Sequence, residues 1–354
     1  MVFVQYRLPD VLSVICGRNV HDPVALNPHY AELDAYFVDW INAQKLSPAT
    51  QKSWIAVQMP LLASLTNPHM TLDQLRVCLE YMVLSLGMED LTDTASSEES
   101  KKWAHFFMDL LRSPGNTDER LLKAHPMIGN VCVVSFSVRV MKDLGPTYTL
   151  PFIQSNDELV RGMVQESLDR EAEETDADQS TSSVEAYIHA RRTTIGIQPV
   201  LVLGRWARGL DLPDEVLCSE QVTGMVDATI DMVFLANDIY SYKKERIAGA
   251  VQHNIVTVAM NDESARVGSS NVQGAVDYAY ELIHTAHDRF QRLLAELSST
   301  PMWNTYQDAL EKYAENMHDW AVGNVVWSLA SPRYSVFDNP SAKSTMMIEF
   351  YAPL

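Results

Sequence analysis

Asn237, Ser241 and Glu245 stand four residues apart. On a helix, at about 100° per residue, three such positions share one face, with about 6 Å between neighbours along the axis. They offer an amide oxygen, a hydroxyl and a carboxylate. These are hard oxygen donors, suited to Mg²⁺ rather than to a soft metal. Lys244 adds a cation beside them. A face of this kind could hold Mg²⁺ together with an anion, and diphosphate is the obvious anion. An ordinary solvated helix face has the same spacing. However, the preceding Met232, Val233, Phe234, Leu235 and Ala236 are apolar on every side. That pattern belongs to a buried helix, which favours the mouth of a cavity over an open surface.

A second oxygen-rich cluster is Glu89, Asp90 and Asp93. Glu89 and Asp93 are four apart, and Asp90 is the neighbour of Glu89. Packed carboxylates repel one another. They either lie solvated at a helix end or share a divalent cation, and the residues alone leave both readings open. Arg191 and Arg192 stand before Thr193, Thr194, Ile195 and Gly196, where Gly196 can break a helix. Arg333 and Tyr334 follow Pro332, which marks a helix end. An arginine fork can give a phosphate two hydrogen bonds at once.

Helices must position these groups. From residue 28 to 330 the apolar residues recur at helical spacing, and strand-like alternation is nearly absent. Thr71 and Gln74 form a capping-box pattern. Leu75, Cys78, Leu79, Met82 and Leu86 then make an apolar stripe. Further helices are expected near 29–42, 49–66, 98–112, 117–141, 155–174, 183–208, 214–246, 271–297 and 303–329, with Pro60 and Pro126 starting, kinking or breaking those near them. No repeat or linker divides the chain, so one all-α domain over 1–354 is expected, with a 1–27 N-terminal segment and a 335–354 C-terminal tail.

Apolar residues make up 47% of 354, enough for a large core. The formal charge of −19 argues against a general nucleic-acid binder. Cys16, Cys78, Cys132 and Cys218 have no zinc-ligand spacing and are expected to be buried thiols in a reducing compartment. The segment 1–19 is a poor signal peptide, and no run is long enough to span a membrane. A soluble cytoplasmic protein is therefore expected.

Taken together, these residues resemble a class I terpene synthase, most closely the sesquiterpene synthases of mushroom-type fungi. Asn237, Ser241 and Glu245 match the family's second metal motif, and Lys244 its diphosphate-binding lysine. Glu89, Asp90 and Asp93 match the aspartate-rich motif, with Glu89 where the family usually has Asp. Arg191, 237 − 191 = 46 residues before Asn237, matches the diphosphate-sensing arginine. Thr194 and Gly196 fall in the sensor-linker segment. Arg333 and Tyr334 match the C-terminal pair that closes over the diphosphate. Arg7-Leu8-Pro9-Asp10 and Asn27-Pro28-His29-Tyr30 also look like this fungal branch.

The resemblance implies a helical bundle around a central cavity, three Mg²⁺ ions and ionisation of a linear prenyl diphosphate, by default farnesyl diphosphate. It implies a sesquiterpene product and leaves a homodimer open. An acyclic alcohol synthase of the nerolidol or linalool type, acting on farnesyl or geranyl diphosphate, is the alternative within the class. A non-catalytic helical scaffold is the alternative outside it. A chain-elongating prenyltransferase would normally carry a second aspartate-rich motif in place of Asn237, Ser241 and Glu245.

Overall fold

The computed structural model describes residues 1–19, 22–44, 46–92, 95–114, 132–175, 183–249, 251–337 and 340–352, with backbone only at 132–135, 173–175 and 340. In chain order the elements are β1 (Val2–Arg7), α1 (Val11–Cys16), α2 (Tyr30–Ala43), α3 (Pro48–Ala56), α4 (Met59–Thr66), α5 (Leu72–Thr92) and α6 (Ser97–Arg112). Next come α7 (Cys132–Thr175), α8 (Val184–Thr194), α9 (Ile197–Ala207), α10 (Asp214–Leu217), α11 (Glu220–Ala248) and α12 (Ile255–Asn261). A 3₁₀ turn at Glu263–Ala265 leads to α13 (Val272–Ser298), α14 (Pro301–Ala330), α15 (Pro340–Thr345) and β2 (Met347–Ala352).

The all-α expectation holds, with one addition. β1 and β2 form an antiparallel ribbon that pairs Val2 with Ala352 and Arg7 with Met347. The helical periodicity of the sequence points to neither strand. Tyr6 of β1 packs edge-on against Tyr242 of α11, with ring centroids 5.9 Å apart. The expected helix over 49–66 is two helices. They divide at Gln58, whose φ of 59° is left-handed, and Pro60 sits in the first turn of the second. The expected 183–208 helix also divides, at Gly196, where φ is 74°. The helix expected near 117–141 falls largely outside the described residues, as does Pro126.

The chain forms two compact units. One contains residues 26–180 and 193–211. Here Thr71 and Gln74 cap α5 reciprocally, as their spacing predicts. The buried side chains of α5 include Leu75, Cys78, Leu79 and Met82. Tyr81 of α5 donates to Asn156 of α7 at 2.8 Å. The other unit contains residues 1–25, 181–192 and 212–354. Its centre is α11, which packs against α12, α13, α14 and β2. From Ala228 to Lys243 this helix is buried at every position except Asn237. A helix enclosed on all sides needs apolar residues all round, which Met232–Ala236 supply.

The cysteine expectation is corrected in part. Cys78 is buried, Cys16 is half-buried and Cys218 is exposed, and none of the three is in a disulfide. Cys218 sits at the end of the four-residue α10, too short an element to cover it. The side chain of Cys132 lies outside the described residues. No helix among the described residues is long and apolar enough to cross a membrane.

Candidate active site

The polar face of α11 begins at Asn237, the one position between Ala228 and Lys243 that is not buried, and runs to the exposed Lys244. Asn237 and Glu245 are half-buried, Ser241 is buried and Lys244 is exposed. Asn237 Nδ2 donates to the Tyr334 hydroxyl at 2.8 Å, so two motifs 97 residues apart meet directly. Tyr334 is itself fixed by Trp327 of α14, which meets its ring edge-on at 5.4 Å. Lys244 Nζ lies 6.0 Å from the centre of the same ring. Lys243, absent from the expected set, is buried and donates to the Ser335 carbonyl at 3.2 Å. It ties the segment after α14 to α11. Arg333 is half-buried, and its backbone N–H donates to Ser331 Oγ at 3.1 Å.

Glu245 is oriented by Asn254, whose Nδ2 donates to its Oε2 at 2.9 Å and to the Asp238 carbonyl at 2.9 Å. Asn254 Oδ1 meanwhile caps α12 by accepting from Val256 N–H. Burial raises the Glu245 carboxyl above its ordinary range, and Asp238 pushes the same way. Hydrogen bonds from Ser241 and Asn254, and the charge of Arg191, partly offset this.

Asp238 is the residue that sequence reasoning passed over. It is buried, and its carboxylate accepts from the Tyr187 hydroxyl, from Ile255 N–H at 2.9 Å and from Arg191 Nη2 at 3.4 Å. One side chain thus joins α8, α11 and the start of α12. Burial raises its carboxyl above the usual range, against the pull of Arg191. The available signal was an aspartate two residues after the apolar run Met232–Ala236 and directly before Ile239, a setting that demands partners. Arg192 takes a different route. Its Nε and Nη2 grip Asp231 at 2.8 and 2.6 Å, with Asp227 3.6 Å away.

Glu89 and Asp90 belong to the other unit, in the last turn of α5. Glu89 is half-buried and Asp90 exposed, while Asp93 lies outside the described residues. The neighbouring Thr92 hydroxyl turns back to the Met88 carbonyl at 3.0 Å. Thr194 is buried at the end of α8 and is followed by the left-handed Gly196.

Among the described residues, no three His, Cys, Asp or Glu side chains cluster as a metal centre. The α11 set draws instead on an amide and a hydroxyl. Its donors still fit a hard divalent cation, because all three are oxygen ligands on one helix face. The set also contains a carboxylate whose burial makes its charge costly, a cost that a cation would offset.

Residues 80–289 match the model described as terpene synthase family 2, C-terminal metal binding. The chain is 31% identical to a Δ(6)-protoilludene synthase of Stereum hirsutum over 93% of this chain and 88% of that protein. It is 27% identical to sesquiterpene synthase 3 of Postia placenta, over 97% and 87% respectively. Among solved structures, the linalool/nerolidol synthase of Streptomyces clavuligerus shares the fold with a TM-score of 0.70 at 20% identity, covering 87% of this chain and 98% of that one. An a-eudesmol synthase does so with a TM-score of 0.72 at 20% identity, covering 89% and 99%.

Proposed function

The chain belongs to terpene synthase family 2, and we propose that it ionises farnesyl diphosphate, releases diphosphate and forms a sesquiterpene through carbocation intermediates. The observation that carries this reading is the oxygen-donor face of Asn237, Ser241 and Glu245, with the Tyr334 hydroxyl bonded to its first member. These three residues would hold Mg²⁺. Glu89, Asp90 and Asp93 are assigned as a second ligand set, and the whole of 1–354 as one synthase domain. Three Mg²⁺ ions follow from the family resemblance. Bound there, Mg²⁺ would supply charge that stabilises the leaving diphosphate.

The remaining steps fall to the chain's own residues. Arg191 binds diphosphate oxygens with its planar fork, and Lys244 and Arg333 add positive charge. Tyr334 can accept from Asn237 while its own O–H donates to the diphosphate. No general base is needed to begin, because the carbon–oxygen bond breaks with its electron pair leaving on the diphosphate. The allylic cation that remains would be captured by bulk water, so its surroundings must be apolar and dry. Aromatic faces can stabilise it.

The fifteen-carbon substrate is supported by the relatives named sesquiterpene synthases. We place the protein in the cytoplasm. The test is purified protein with Mg²⁺ and prenyl diphosphates of ten, fifteen and twenty carbons, with diphosphate release measured and products identified by gas chromatography and mass spectrometry. Turnover should be greatest with fifteen carbons. Absence of release from all three would leave only a helical scaffold.

A further inference from the structure

We infer that Asn316 and Trp320 on α14 hold a buried water that ends the carbocation sequence, so that the product carries a hydroxyl group. This rests on the diphosphate-ionising reading above.

Asn316, Trp320, Asn324 and Ser328 follow one another at four-residue intervals on α14. All four are buried. Each step of four advances about 40° around the helix, so the set forms one contiguous stripe. Such a stripe at the heart of a helical unit is normally apolar. Here every member carries a polar atom. Asn324 Nδ2 donates to the Val233 carbonyl at 3.2 Å, which turns the stripe toward α11. Among the described residues, Asn316 Oδ1, Trp320 Nε1 and Ser328 Oγ have no hydrogen-bond partner. Buried polar atoms without partners are costly, and native proteins keep few of them. Three on one face call for a polar occupant.

A prenyl chain cannot be that occupant, because it has no group that donates or accepts. A water can. Trp320 Nε1–H is a donor and Asn316 Oδ1 an acceptor, on side chains one helical turn apart whose Cβ atoms are about 6 Å from each other. One water spans that gap by accepting from the first and donating to the second. The stripe also has a direction. Trp327, next to Ser328, meets Tyr334, and Tyr334 is bonded to Asn237. The Trp327 end therefore adjoins the ionising groups. Asn316 lies eleven residues back along the helix, about 16 Å away. A water held there stays clear of the leaving group and meets the cation only along the hydrocarbon chain. Its oxygen lone pair forms the new carbon–oxygen bond. The resulting oxonium sheds one proton through water to the released diphosphate as the site opens and the product leaves. Substrate and water thus balance against alcohol and diphosphate, with no oxidant or reductant.

The experiment is turnover of farnesyl diphosphate with Mg²⁺ in water enriched in oxygen-18. Diphosphate release is measured alongside the product spectrum. The main product of the unchanged protein should be an alcohol two mass units heavier than in ordinary water. In Asn316→Leu and Trp320→Phe the ratio of alcohol to hydrocarbon, read per diphosphate released, should fall about tenfold, as loss of one hydrogen bond to the nucleophile implies. Hydrocarbons alone from the unchanged protein, with diphosphate released, would overturn the water site and leave the synthase reading standing. An unchanged ratio in both variants would overturn the assignment to these residues. No diphosphate release at all would overturn the synthase reading and this inference with it.

Discussion

Arg191 and Arg192 are neighbours on α8 and reach two aspartates on α11, yet they pair with them differently. Arg192 meets Asp231 through two short bonds, 2.8 and 2.6 Å, with Asp227 close by. Arg191 Nη2 meets Asp238 at 3.4 Å, and that carboxylate also serves Tyr187 and Ile255. The first is a closed, bidentate pair whose geometry leaves little to adjust. The second is a longer contact to a shared carboxylate, beside the Asn237–Tyr334 face. The difference teaches that two identical side chains one residue apart can be held in unlike ways, one closed and one shared. Charge alone would not separate them.

The sharpest way to break this comparison is at the face to which the proposed function assigns Arg191. Asn237→Ala or Glu245→Ala should abolish Mg²⁺-dependent diphosphate release, a loss of about 10³-fold or more. Full turnover in either would sink the metal assignment. Arg191→Ala comes next. It should lower diphosphate release by about 10²–10³-fold, with a smaller loss of stability than Arg192→Ala, because Tyr187 and Ile255 still donate to Asp238.

Arg192→Ala should do the reverse. Leaving Asp231 buried without its partner should cost about 3 kcal/mol of stability, seen as a lower urea midpoint, while folded protein keeps most of its turnover. If the two arginine variants exchange these phenotypes, the sensor alignment is off by one residue. Asp238→Asn would sharpen the contrast. It disturbs a carboxylate with three donors and should cost about 1–3 kcal/mol. Inhibition by inorganic diphosphate should weaken as well; unchanged inhibition would make Asp238 a purely structural partner, like Asp231.

The smallest effect lies away from both arginines. His318 of α14 is held below its ordinary value of 6.5, chiefly by burial. The folded protein then binds this proton less readily than the unfolded chain does. Stability should therefore be complete above pH 6.5 and decline as pH falls below it. His318→Gln should flatten that part of the profile, and an identical profile would remove His318 from the account.

Much of this was legible in the residues. The i, i+4 spacing of Asn237, Ser241 and Glu245 marks one face of α11, and the apolar run before them marks the buried stretch that this face continues. Gly196 and Pro60 marked real breaks, because a left-handed φ and a missing N–H are local properties. Asp238 was not legible as a hub, since Tyr187 and Asn254 approach it from 51 and 16 residues away. The orphaned atoms of α14 were hidden for the same reason. Sequence shows that Asn316 and Trp320 are polar, but only packing shows what they lack. β1 looked like a broken apolar run, because Val2–Arg7 alternates over just six residues and its partner is at the far end of the chain.

That ribbon bears on how the protein is made. Arg7 pairs with Met347, so 347 − 7 = 340 residues separate the innermost partners. At a synthesis rate of about 5–20 residues per second, the first strand waits tens of seconds before its partner exists. During that time an apolar strand with open edges is exposed to every other nascent chain nearby. Slower translation should therefore lengthen the time for which this strand lacks its partner.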